Sequence, residues 1–137
     1  MNVEVLYFKG CPNHEPAVEQ VRKALRSEGL PILVDEVEIT DPAMAQRVGF
    51  LGSPSIRIDG IDVEPGAREI KTFGFGCRVC SDDEGRRSGL PAVGLIQQAV
   101  RERRSARVIA YTDAAFSTNA QALKMCPQLK KWVWRPA

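Results

Sequence analysis

The spacing of apolar and polar positions divides the first hundred residues into short elements. Residues 2–8 form a mostly apolar run, with Val3, Val5, Leu6 and Phe8, the pattern of a strand covered on both faces. Residues 13–28 switch to a helical period. Val18, Val21 and Leu25 fall at i, i+3 and i+7 with Ala17 and Ala24 beside them, while Glu19, Arg22, Lys23 and Arg26 take the other side. Asn13 suits the cap position, Pro16 is tolerated in the first turn, and Gly29 stops the helix. Residues 31–39, PILVDEVEI, predict a second strand. One helix between two strands predicts a β-α-β unit, with a parallel pair and a right-handed crossover. Thr40 or Asp41 caps a short helix over 42–48 with Pro42 at its start, and Gly49 and Gly52 then bracket a turn. SIRI (55–58) and IDVE (61–64) flank Asp59-Gly60, a hairpin signal. Residues 65–89, rich in glycine, charge and cysteine, read as a loop, and 91–104 as a helix with Val93, Ile96 and Val100 on one face.

The order β-α-β-α-β-β-α predicts an α/β sandwich in which helices flank a mixed four-stranded sheet. The first two strands run parallel and the last two antiparallel. A chain of 137 residues suits one domain and can bury a core without disulfide or metal staples. The domain is expected to span 1–104, with 65–89 as an inserted loop, and residues 105–137 form a C-terminal extension. Within the extension, ARVIAY (106–111) reads as a strand or a continued helix, and 118–131 as a helix with Leu123 and Leu129 inward.

Charge separates the same two regions. Residues 1–100 hold 11 Lys/Arg and 15 Asp/Glu, and residues 101–137 hold 8 and 2, so an acidic body carries a basic tail under a net charge of +2. Basic residues near Trp132 and Trp134 raise nucleic-acid binding. With no stacking platform and no recognition-helix pattern, packing on the core or on a second subunit, as a homodimer, is the expected role instead. No apolar run reaches the roughly 18 residues needed to span a membrane. The N-terminus enters a strand pattern with no secretory signature, so a cytoplasmic location is expected.

Four cysteines, Cys11, Cys77, Cys80 and Cys126, are in that compartment more readily thiols, metal ligands or redox groups than structural bridges. Cys126 reads as a bystander. Cys11 lies between the first strand and the first helix. Unpaired N–H groups and the helix dipole there favour an anion, which lowers a thiol's pKa from about 8.5. Pro12 fixes the backbone beside it, and His14, the single histidine, could tune the sulfur, relay a proton or ligate metal. The alternative is a small buried hydrophobe next to an exposed, idle histidine. Ser53-Pro54 precedes the third strand; only an X–Pro bond makes a cis peptide a real option. Cys77-Arg78-Val79-Cys80 is a pair spaced for a disulfide or a shared metal, or two independent thiols.

The Cys-Pro-x-His at the end of strand one, the element order and the Ser-Pro before strand three together resemble the thioredoxin-like superfamily. The resemblance covers about residues 2–104. It is closest to small bacterial proteins with a GCPN start, a GSP-S/T-I segment and a later cysteine loop, some labelled alkylmercury lyases. It implies a thiol–disulfide oxidoreductase in which Cys11 attacks, Pro54 is a cis-proline beside it, and Pro12 and Ser53 face a protein or small-molecule disulfide. The superfamily's usual Cys-x-x-Cys is replaced here by Cys11-Pro12-Asn13-His14, which leaves a one-thiol mechanism, a resolving thiol from elsewhere or no redox role; of these a resolving thiol is expected, with Cys77 or Cys80 as its source. Two other readings stand beside it. Cys11, His14, Cys77 and Cys80 could instead hold zinc, mercury or another soft ion, or the fold could be a binding module without chemistry. No organic cofactor is expected.

Overall fold

The structure is a computed structural model that describes residues 1–81 and 84–125, with side chains in the last helix through Ile109. Its elements are β1 (Val3–Tyr7), α1 (His14–Ser27), β2 (Val34–Glu38), α2 (Pro42–Val48), β3 (Ser55–Ile58), β4 (Ile61–Asp62), a 3-10 turn (Pro65–Glu69), β5 (Cys80–Ser81), β6 (Arg87–Ser88) and α3 (Val93–Met125). The chain divides into two compact units, Met1–Arg103 and Arg104–Ala137. The second is described as the helical backbone through Met125. ARVIAY is therefore helical. Residues 126–131 of the expected terminal helix, Cys126, Trp132 and Trp134 lie outside the described residues. Among the described residues, no helix is long and apolar enough to cross a membrane.

The first unit is an α/β sandwich built on a mixed four-stranded sheet of order β2-β1-β3-β4. β1 runs parallel to β2 with Val3 opposite Val34, and antiparallel to β3 with Val3 opposite Ile58. Alternation along the strands then assigns the two faces. On one, Val3, Val5, Ile56, Ile58 and Val63 pack with Val18, Val21 and Leu25 of α1 and with Ile96, Ala99 and Val100 of α3. On the other, Leu6 packs with Ile39, Ala45 and Phe50 beside α2. Further along that second face lie Ser55 and Arg57 of β3, and Arg57 pairs with Asp62, the acidic residue of β4.

Local chemistry sets the ends of these elements. The Asp41 carboxylate accepts from the Met44 N–H at 2.7 Å, with Pro42 at the helix start. The β3–β4 turn puts Asp59 and Gly60 at φ 51° and 80°, the left-handed pair that a two-residue hairpin requires. Three expectations are adjusted. β2 begins at Val34 and not at residue 31. β4 keeps strand pairing only through Asp62, although Val63 N–H still donates to Ile56 O at 3.1 Å. The 65–89 segment contains a 3-10 turn and the small β5–β6 hairpin; Pro65 at the first position of that turn was its local signal.

Phe50 is completely buried and fills the space between α2 and the sheet. Phe50→Ala should cost about 3–5 kcal/mol of unfolding free energy, read as a lowered urea midpoint with the slope retained.

Candidate functional site

The C-terminal end of β1 and the N-terminal end of β3 lie side by side, and the candidate residues gather at this end of the sheet. Leu6 pairs with Ser55. Two residues on, the Phe8 N–H donates to Ser53 Oγ at 3.3 Å. The chain then turns through Gly10 at φ 85°. Cys11 N–H donates back to Phe8 O at 3.2 Å and His14 N–H to Cys11 O at 3.3 Å, which leads into α1 with Asn13 at its cap. Two hydrogen bonds through Phe8 thus connect the Cys11 turn to Ser53. Cys11 is 9 % exposed and belongs to neither apolar cluster. The Asn13 side chain makes no cap hydrogen bond; it lies against Gly89, where a Cβ would sit 2.2 Å from its Nδ2.

Ser53 and Pro54 are joined by a cis peptide bond, and both residues are buried. Ser53 N–H donates to Gly76 O at 2.8 Å, and Ser53 O accepts from Arg78 N–H at 3.0 Å. The residues on either side of Cys77 are therefore bonded to the two main-chain groups of Ser53, and Ser53 and Cys77 form an isolated parallel bridge. More of the loop follows the same course. Gly74 N–H donates to Phe50 O at 3.0 Å, Gln46 Nε2 to Phe73 O at 2.8 Å, and the Phe75 ring meets Phe8 with centroids 5.5 Å apart.

From 77 to 80 the chain alternates exposed, buried, exposed, buried. A three-residue step in extended chain puts two side chains on opposite faces, so Cys77 points outward and Cys80, 1 % exposed, inward. Burial pushes the Cys80 thiol up from 9.0 to about 11; Arg78 opposes this, and the Glu64 and Asp62 charges add to it. The two cysteines of the pair are thus chemically unequal.

Between them sits a charged core that the sequence reading passed over. Arg78 is 8 % exposed. Its Nη1 lies 2.6 Å from Asp62 Oδ2, and its Nη2 lies 2.9 Å from Asp62 Oδ1 and 2.8 Å from Glu64 Oε2. Nη1 also donates to Ser55 Oγ at 3.2 Å. Burial by itself would lower the guanidinium's pKa, but the hydrogen bonds and charge of Asp62, then Cys80 and Glu64, outweigh it and raise the pKa. A signal existed: Asp62 and Glu64 are two apart in the alternating IDVE run, and a lone arginine stands inside the cysteine pair.

His14 is directed elsewhere. Its ring stacks on Tyr7 with centroids 3.5 Å apart and planes 4° from parallel, and its Nε2 lies 2.7 Å from Glu36 Oε2. The hydrogen bond from His14 to Cys11 is a main-chain one. Cys11, Cys77 and Cys80 are all free thiols. Among the described residues, no three His, Cys, Asp or Glu side chains gather to hold a metal ion, so Cys11, His14, Cys77 and Cys80 do not form a ligand cluster here.

No family model, curated protein or solved structure matches this chain.

The unequal burial of the pair has a direct readout. At pH 8, iodoacetamide should label Cys77 in the native protein and reach Cys80 only in denaturant. Because folding raises the Cys80 pKa, its contribution to stability is complete below pH 9.0 and disappears as pH rises toward about 11. The alkaline loss of unfolding free energy should accordingly be shallower in Cys80→Ser than in wild type.

Proposed function

We propose that this chain is a thioredoxin-like thiol–disulfide oxidoreductase, with Cys11 as nucleophile and Cys77 as resolving thiol. The reading rests on one observation above the others: both main-chain groups of Ser53 are bonded to the residues flanking Cys77, at the sheet end from which the Cys11 turn departs. The mixed sheet, the thiol ahead of α1 and the cis Ser53–Pro54 bond are consistent with it.

In the reaction, the Cys11 thiolate attacks one sulfur of a substrate disulfide, RS–SR′. The S–S bond breaks, Cys11–S–S–R forms, and R′S⁻ leaves and takes up a proton. The Cys77 thiolate then attacks the Cys11 sulfur, releasing RS⁻ and closing a Cys11–Cys77 disulfide. Two electrons pass from the protein to the substrate, and an external dithiol reductant returns them. Cys77 is exposed and Cys80 buried, which favours Cys77 for the second step. The resting state of the scheme is the reduced one, in which all three described thiols are free. His14 holds the start of α1 to Tyr7 and Glu36 and takes no proton in this scheme.

Oxidised glutathione supplies the test, with peptide mass spectrometry as readout. Wild type and Cys80→Ser should accumulate a Cys11–Cys77 bridge with release of glutathione. Cys77→Ser should stop at the Cys11–glutathione mixed disulfide, and Cys11→Ser should form neither product. A Cys11 that accepts no glutathione, or a bridge to Cys80 in place of Cys77, overturns the proposal.

A further inference from the structure

We propose that Arg78 is a positioning residue: its buried ion triad with Asp62 and Glu64 holds the 76–80 segment as a strap, with Cys77 presented at the Ser53 edge and Cys80 turned inside. The use made of Cys77 rests on the redox reading above; the orientation of the strap does not.

Three independent contacts converge on Arg78. The first is the triad, in which one guanidinium meets three carboxylate oxygens within 2.9 Å. Arg78 is separated from Asp62 by 16 residues and from Glu64 by 14, so this is a tertiary anchor and not local turn chemistry. The second is main-chain pairing of Arg78 N–H to Ser53 O. The third is steric. Gly52 adopts φ +130°, and a Cβ there would come within 3.1 Å of both the Arg78 nitrogen and its Cβ. Only glycine allows the strap to lie this close. With Arg78 turned in, extended geometry turns its neighbours Cys77 and Val79 out and Cys80 in, as their exposures record. Glu64 also accepts from Ser81 N–H at 3.4 Å, so the same carboxylate touches the chain on the far side of Cys80.

An arginine is suited to this position because its planar fork satisfies two carboxylates at once, which an ammonium does not reproduce. Losing the triad would let the strap rotate and exchange the environments of its two thiols, while leaving the Cys11 turn, which is held by Phe8 and α1, in place.

The experiment compares Arg78→Met and Arg78→Lys with wild type, measuring iodoacetamide labelling of each cysteine in reduced protein and bridge formation with oxidised glutathione. Arg78→Met should speed Cys80 labelling at least about tenfold, leave Cys11 labelling within about twofold, and divide the bridge between Cys77 and Cys80. Arg78→Lys should recover part of the wild-type ratio. General loosening would speed Cys11 and Cys80 together, and that result overturns the proposal. Should Arg78→Met fail to fold, Glu64→Gln, which keeps the Asp62 pair, should shift the Cys77:Cys80 labelling ratio in the same direction by about two- to fivefold. A folded Glu64→Gln or Arg78→Met with the wild-type ratio also overturns it. If wild type forms no Cys11 bridge, the redox reading fails by itself, and the labelling ratio still decides the role of Arg78.

Discussion

A guanidinium removed from water is tolerable only where carboxylates surround it, and Arg78 is removed from water. Taking one partner out of such a pair leaves a charge with no compensation, at a cost of about 3–5 kcal/mol. A glycine-rich segment with many available paths is confined to the one that delivers Arg78 to Asp62 and Glu64. The rest of the candidate site follows. Cys77 lies one residue away from this anchor and Cys80 two, and the parity of those steps decides which sulfur meets solvent.

The sheet provides the fixed half of the arrangement. Ser53 acts in two directions: its hydroxyl accepts from Phe8, and its main chain pairs with the strap. It thus connects the turn that carries one thiol to the segment that carries another. Neither segment is a regular element of any length, so few contacts hold them and small changes at those contacts alter chemistry. The Tyr7–His14–Glu36 group has a different effect. It fixes the first residue of α1 to β1 and β2, which steadies the helix behind Cys11.

Much of the scaffold was legible because each element carried its own local signal. The period of α1, the Asp41–Pro42 start of α2 and the Asp59-Gly60 turn needed no tertiary information, and strand pairing followed from their order. β4 was read too long because IDVE alternates like a strand while its ladder ends after two residues. The spacing of Cys77 and Cys80 allows a disulfide, a shared metal or two independent thiols, and by itself does not tell that one sulfur is exposed and the other buried. A Cys-x-x-Cys spacing brings sulfurs together on a helix or tight turn but separates them in extended chain, and here Arg78 is buried between them. The triad itself was out of reach, since its partners are far apart in sequence and a charged residue ordinarily reads as surface. The sequence leaves His14 open between a role beside Cys11 and an idle exposed position; the stacking on Tyr7 and the contact with Glu36 come from two strands that are distant or unmarked in the local pattern.

Among the described residues, the sheet order places β2 at one border, paired with β1. Three of its five residues are acids, Asp35, Glu36 and Glu38; Glu36 is held by His14, and Asp35 and Glu38 project from opposite faces of the strand. A strand border with no neighbour among the described residues invites another chain to continue the ladder, and charged side chains along it make that addition unfavourable. This acidic border gives the sheet a built-in barrier to edge-to-edge growth, one that added salt would weaken by screening.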